Sequence, residues 1–140
     1  MRTLLLDANS ILLLTRAGKI PESDDDLAFS TTAIAAYELG NAVWKDLHLF
    51  KKLSKDEAKL ILTAFHETLL RLSVEPQADL MERLNVLENA NLYGLSYYDS
   101  SYLTAAMRLE ATLVTEDASL RRASKGCGVP NSSAREFIKV

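Results

Sequence analysis

The N-terminal run Arg2-Thr3-Leu4-Leu5-Leu6, cut off by Asp7-Ala8-Asn9-Ser10, constrains the fold more than any other stretch of the chain. A continuous apolar run without the alternation of a one-sided strand reads as a short strand buried on both faces, and such strands belong to parallel sheets covered by helices. Ala111 to Thr115 is a second run of this kind, again followed at once by acids, Glu116-Asp117. Leu27 to Ser30 and Leu72 to Glu75 read as further strands, and Val129 as the start of a last short one. Helical patterns fill the intervals. Asp7 or Asn9 caps a first helix through Ile11 to Leu14 that Gly18 and Pro21 end, and a second runs from about Thr32 to Phe50. Ser54-Lys55-Asp56-Glu57 is a capping box, followed by Ala58, Ile61, Leu62, Phe65, Leu69 and Leu72 at steps of three and four. Leu80, Leu84, Leu87 and Leu92 mark a helix closing near Gly94, Ser96 caps one that reaches about Glu110, and Asp117 opens one that reaches Lys125. Strands alternating with helices predict an α/β fold, a central parallel sheet flanked on both faces by helices with right-handed crossovers.

With 140 residues, 48% of them hydrophobic and 25% charged, the chain has the size and balance of one domain, expected over residues 1–140. The lone Cys127 excludes a disulfide framework and C-x-x-C or zinc-finger chemistry, and fits a reducing cytoplasm. No apolar stretch approaches the roughly 18 residues of a transmembrane helix. After Met1-Arg2, the run Leu4 to Leu6 is broken by Asp7 and Asn9 before it reaches the length of a signal-peptide core, so it reads as an N-terminal strand. The net charge of −3 argues against a protein that holds duplex DNA on a broad basic face. It leaves a nucleic-acid enzyme open, because acids gathered around a cation would leave the remaining side chains slightly positive.

Four acids stand out by position. Asp7 and Asp117 follow predicted buried strands, and in open parallel sheets ligands bind beyond the carboxyl ends of the strands, where strand order reverses. Glu38 and Asp99 sit within otherwise apolar or aromatic helical segments, Ala33 to Leu39 and Leu95 to Asp99, where an isolated buried charge is costly unless paired, protonated or bound to a metal. Each also has a purely architectural reading: Asp7 and Asp117 as helix N-caps, Asp99 as the acid of a capping box with Ser96, and Glu38 on a solvent face with Asn41 and Lys45. Together, carboxylates in one pocket repel, and hard cations such as Mg2+ or Mn2+ relieve that repulsion through oxygen ligands alone. A cation so held can activate water and stabilise charge on a phosphodiester oxygen. His48 and His66 lie in helical stretches far from these acids in sequence, so serine–histidine chemistry has no support.

These residues resemble the PIN domain, and within it the small VapC-like toxins of prokaryotic toxin–antitoxin pairs. Leu4-Leu5-Leu6-Asp7-Ala8-Asn9-Ser10 is similar to the family's opening strand and first acid, and Tyr37-Glu38-Leu39-Gly40-Asn41-Ala42 to its E-x-x-N-A helix. Tyr98-Asp99-Ser100-Ser101-Tyr102 followed by a small-residue helix resembles the third motif, and Thr115-Glu116-Asp117 the strand-ending T-x-D. The four occur in order across essentially the whole chain. The resemblance implies a PIN-like three-layer fold with a sheet of four to five strands, the first and fourth adjacent. It also implies Mg2+ or Mn2+ held by Asp7, Glu38, Asp99 and Asp117, and cleavage of single-stranded RNA. Asn9, where the family often has Ser or Thr, and Thr115 fall where they can orient ligands or water. Glu116 is expected to face outward.

For the substrate, Arg121, Arg122 and Lys125 on the helix opened by Asp117 are candidates for phosphate contacts, while Lys51, Lys52 and Lys55 read as a solvated face. Tyr97, Tyr98 and Tyr102 could stack on unpaired bases, with core packing expected for at least two of them. Trp44 reads as a core or interface anchor. The resemblance further implies a homodimer, for which Ile61, Phe65 and Leu69 could supply an apolar face, and a VapB-like antitoxin as partner. A PIN nuclease of RNA maturation or decay, and a catalytically silent interaction module, are the other readings of the same residues.

Overall fold

The computed structural model describes residues 2–19 and 22–137; Met1 and Pro21 lie outside the described residues. β1 (Arg2–Leu6) is the central strand of a sheet in which every pairing is parallel. On one side it pairs with β2 (Leu27–Thr31), which pairs with β3 (Ser73–Val74); on the other it pairs with β4 (Thr112–Val114), which pairs with β5 (Asn131–Ser132). The order β3-β2-β1-β4-β5 makes the gap between β1 and β4 the point where the strand order reverses. Register sets Leu5 beside Leu113 and Leu6 beside Val114.

Burial on both faces explains the unbroken apolar sequence of β1. Leu4 and Leu6 enter a core with Ile11, Leu14, Phe29, Leu39 and Phe65, whereas Leu5 enters a second core with Tyr102, Leu103, Leu113 and Leu120. The first core is covered by α1 (Ala8–Arg16), α2 (Ala35–Trp44) and α3 (Lys55–Leu70), the second by α5 (Tyr97–Leu109) and α6 (Ala118–Gly126). α4 (Leu80–Tyr93) packs outside α5 and ends on Gly94, whose left-handed backbone (φ 66°) suits a residue without Cβ.

Local signals account for most of these boundaries. Ser54 and Glu57 form the reciprocal capping box at the start of α3. The expected helix from Thr32 to Phe50 is instead divided: α2 begins at Ala35, and after Trp44 the backbone widens into a π-helical turn, Lys45–Leu49, closed by Phe50 N–H donating to the Lys45 carbonyl. The left-handed Lys51 (φ 50°) then ends the helical path. In α4 the leucines that mark the helix do not form its buried side. Val86 and Ala90 are buried, and Leu80, Leu84, Leu87 and Leu92 are exposed. Conversely, Phe65 is in the core with Ile61 and Leu69 packed against it, while Leu60, Leu62 and Leu70 of α3 are exposed. Among the described residues, no helix is long and apolar enough to cross a membrane.

Candidate active site

Asp7 ends β1 and caps α1: its Oδ1 accepts the Ser10 N–H at 2.9 Å, and it is buried. Asp117 does the same for α6, its Oδ1 accepting the Leu120 N–H at 2.9 Å. Capping and site geometry therefore coexist, since each cap uses one carboxylate oxygen. Thr115, at the end of β4, joins the two. Its Oγ1 donates to Asp7 Oδ2 at 2.5 Å and accepts the Asp117 N–H at 3.0 Å. Ser10 ties the same strands from the other side, its hydroxyl donating to the Val114 carbonyl at 2.9 Å.

Glu38, from the first turn of α2, is half-buried rather than on a solvent face, and its Oε1 accepts the Tyr102 hydroxyl at 2.7 Å. Asp99 stands in the first turn of α5, where Ser96 Oγ accepts its N–H; the return bond that completes the box at Ser54 and Glu57 is absent here. With Asn9, Tyr102 and Glu116, these four acids line one open cavity of about 450 Å3 at the carboxyl edge of β1 and β4. Asn9 is exposed at its rim.

Electrostatics in the cavity is that of crowded carboxylates. Burial, and then the charge of Asp117, hold Asp7 above the usual carboxylate range against the hydrogen bonds from Thr115 and Ser10. Burial foremost, then Asp99 and Asp7, raise Glu38 against the Tyr102 hydroxyl. Burial, Asp117 and Asp7 raise Asp99. None of the four is ion-paired to a Lys or Arg among the described residues. They are spread around the cavity rather than drawn to a point, and among the described residues no three His, Cys, Asp or Glu side chains form a ready-made ion site. An all-oxygen donor set of this kind is of the type that suits a hard divalent cation.

Glu116 differs from the expectation that it faces outward. It borders the cavity, but its carboxylate accepts hydrogen bonds from Ser133 Oγ and from Arg135 through both N–H (3.4 Å) and Nε (3.3 Å). Partial burial pushes its ionisation up, yet these bonds and the Arg135 charge together hold it below the usual range. The fifth acid is thus neutralised by the 3-10 turn Ala134–Phe137.

Among the candidate substrate contacts, Arg121 is half-buried with Nε donating to the Thr115 carbonyl at 3.1 Å, while Arg122 and Lys125 are exposed. Tyr97 and Tyr98 are exposed beside Asp99, and only Tyr102 of the three is in the core, against the expectation of at least two. Trp44 is partly exposed and stacks on His48, ring centroids 5.4 Å apart. Sequence reasoning missed the Tyr102–Glu38 bond and the Ser10 tie. Ser10 follows the first acid by three positions, the spacing of a cap recipient, and carried that much signal. A larger cleft of about 770 Å3 opens between α4 and α5, away from the acids; there Arg108 is pinned by Glu75 and Glu82.

No protein-family profile and no curated protein matches this sequence. Solved structures do match. That of PAE2754 from Pyrobaculum aerophilum superposes with a TM-score of 0.74 at 24% identity, over 98% of this chain and 94% of that one. VapBC2 from Rickettsia felis, bound to a DNA fragment from its promoter, gives 0.66 at 17% identity over 94% and 98%. A PilT N-terminus domain protein, SSO1118 from Sulfolobus solfataricus, gives 0.50 at 15% over 97% and 90%. The chain has a PIN-like fold, with, among the described residues, a five-stranded all-parallel sheet flanked by six α-helices. It shares that fold with VapBC structures.

Proposed function

We propose that this protein is a Mg2+- or Mn2+-dependent endoribonuclease that cleaves single-stranded RNA, and that it is the toxin of a VapBC-type pair. The observation that carries the reading is that Asp7, Glu38, Asp99 and Asp117, from four separate stretches, border one cavity where the strand order reverses, with no cation of the described residues paired to them. The likeness to VapBC2 supports a nuclease of this fold. When bound, a divalent cation supplies a nucleophilic water at neutral pH and offsets the charge that develops on the phosphodiester. The chain's own part is to hold the carboxylates in place, three of them by direct hydrogen bonds. Thr115 and Ser10 fix Asp7, the α6 cap fixes Asp117, and Tyr102 fixes Glu38. Arg121, Arg122 and Lys125 on α6 would meet the phosphates on either side of the cut.

The same reading takes a VapB-like antitoxin as partner, a homodimer as the working form and the cytoplasm as its place. The exposed Leu80, Met81, Leu84 and Leu87 of α4 are the apolar surface that a second copy would cover. Calorimetric titration of Mn2+ and Mg2+ into the wild-type protein and Asp7→Asn, followed by incubation with single-stranded RNA with and without chelator, tests the proposal. Binding lost in the variant, with chelator-sensitive cleavage, is the expected result. Absence of both from antitoxin-free protein would overturn it in favour of an interaction module.

A further inference from the structure

Tyr102 lies one helical turn beyond Asp99 on α5, and it too lines the acidic cavity. Its ring is 1% exposed and belongs to the core with Leu5, Leu103 and Leu113. A phenylalanine would fill that space; the hydroxyl is what needs a partner, because a buried phenol without one is costly. The partner is a carboxylate 64 residues away in sequence, Glu38 Oε1, at 2.7 Å. Among the described residues Glu38 receives no other side-chain hydrogen bond. A glutamate has three side-chain torsions to order, and this one bond restrains all of them from a ring that is itself locked in the core.

We propose that Tyr102 is a positioning residue for Glu38: its hydroxyl engages Oε1 and leaves Oε2 as the oxygen free to bind a cation in the cavity. The third and second acidic motifs are thereby coupled, since α5 contributes both Asp99 and the group that orients Glu38. Partners that orient ligating carboxylates typically change metal affinity by about 10-fold or more when removed. The role rests on the metal-site reading above.

The test is calorimetric Mn2+ titration of the wild-type protein and Tyr102→Phe, both checked for folding by circular dichroism. NMR of wild-type protein labelled at tyrosine Cζ, titrated with diamagnetic Mg2+, reads the hydroxyl's hydrogen bond directly. Expected are Mn2+ binding about tenfold weaker in Tyr102→Phe and a Mg2+-induced shift of the Cζ signal that is missing from the variant's spectrum. Equal Mn2+ affinity in the two proteins, or a buried-tyrosine signal that Mg2+ leaves unmoved, overturns the positioning role. Should Tyr102→Phe fail to fold, the wild-type Cζ signal decides alone. If the wild-type protein itself binds neither ion, the metal-site reading is what has failed.

Discussion

Thr115 Oγ1 bridges the first and last acids of the cavity, donating to Asp7 Oδ2 at 2.5 Å while accepting the Asp117 N–H at 3.0 Å. The hydroxyl is fully buried, and the two strands it links, β1 and β4, are neighbours only because the chain returns to the sheet centre after β3. Thr115→Val preserves shape but strips a partner from a buried carboxylate oxygen and from a backbone N–H. A loss of about 1–3 kcal/mol is expected, with most of it recovered in Thr115→Ser. Urea denaturation in chelator measures it, and a Val variant as stable as wild type would contradict the bridge.

Asp7 makes the metal-free protein sensitive to pH. Burial raises its folded-state value above the ordinary 3.8, so the native state binds this proton more tightly than the unfolded chain does. The resulting contribution is fully present below about pH 3.8 and is lost as pH rises through the raised folded value. In chelator, wild-type stability should therefore fall relative to Asp7→Asn as pH rises through that window. Mg2+ should reverse the trend by stabilising the ionised form. Denaturation curves of both proteins across pH, with and without Mg2+, decide it; parallel curves in chelator would contradict the buried, raised carboxyl.

How much of this was legible in the sequence follows from what sequence encodes locally. An apolar run stopped by an acid marks a buried strand and its carboxyl end, which is why β1, β4, Asp7 and Asp117 were all locatable. Capping chemistry fixed the starts of α3, α5 and α6 in the same way. Partnerships across long separations left no such trace. That Tyr102 meets Glu38, or that Glu116 is neutralised by Arg135, depends on how elements dock, and no spacing within one helix records it. Periodicity also failed at α4, where leucines at helical steps face out because the sheet side is already taken by α5. The π-helical turn after Trp44 has no distinguishing residue pattern either, since every residue there is compatible with an α-helix.

Thr32 Oγ1, in the turn between β2 and α2, is buried and makes no hydrogen bond of good geometry among the described residues, although it sits close enough to the Tyr102 hydroxyl to act on it. Replacing a threonine by valine keeps the branched shape and removes the unpaired hydroxyl. Thr32→Val should thus match or exceed wild-type stability, by up to about 1 kcal/mol, whereas Thr32→Ala also opens a small void and should lose stability. Thermal and urea unfolding compare them. A valine variant destabilised as much as the alanine one would show that the hydroxyl has a partner, the Tyr102 phenol or an ordered water.

The cations of α6 should divide by what holds them. Arg122 and Lys125 are exposed on the helix that Asp117 opens, so under the proposed ribonuclease reading they would meet RNA through charge alone. Each alanine substitution should weaken single-stranded RNA binding similarly for all sequences and reduce the salt-dependence slope by about one. Arg121 is different, because its Nε is bound to the Thr115 carbonyl, next to the hydroxyl that bridges Asp7 and Asp117. Arg121→Ala should therefore also lower the stability of the free protein, by about 1 kcal/mol for a lost hydrogen bond from a charged donor at a half-buried site. Lysine at this position keeps the charge but not the guanidinium geometry, so Arg121→Lys should restore the salt slope without restoring the stability. Binding to labelled RNA across salt concentrations in an Asp99→Asn background, beside urea denaturation, separates the two effects. A salt slope untouched by all three alanine substitutions would place the RNA on another face of the molecule.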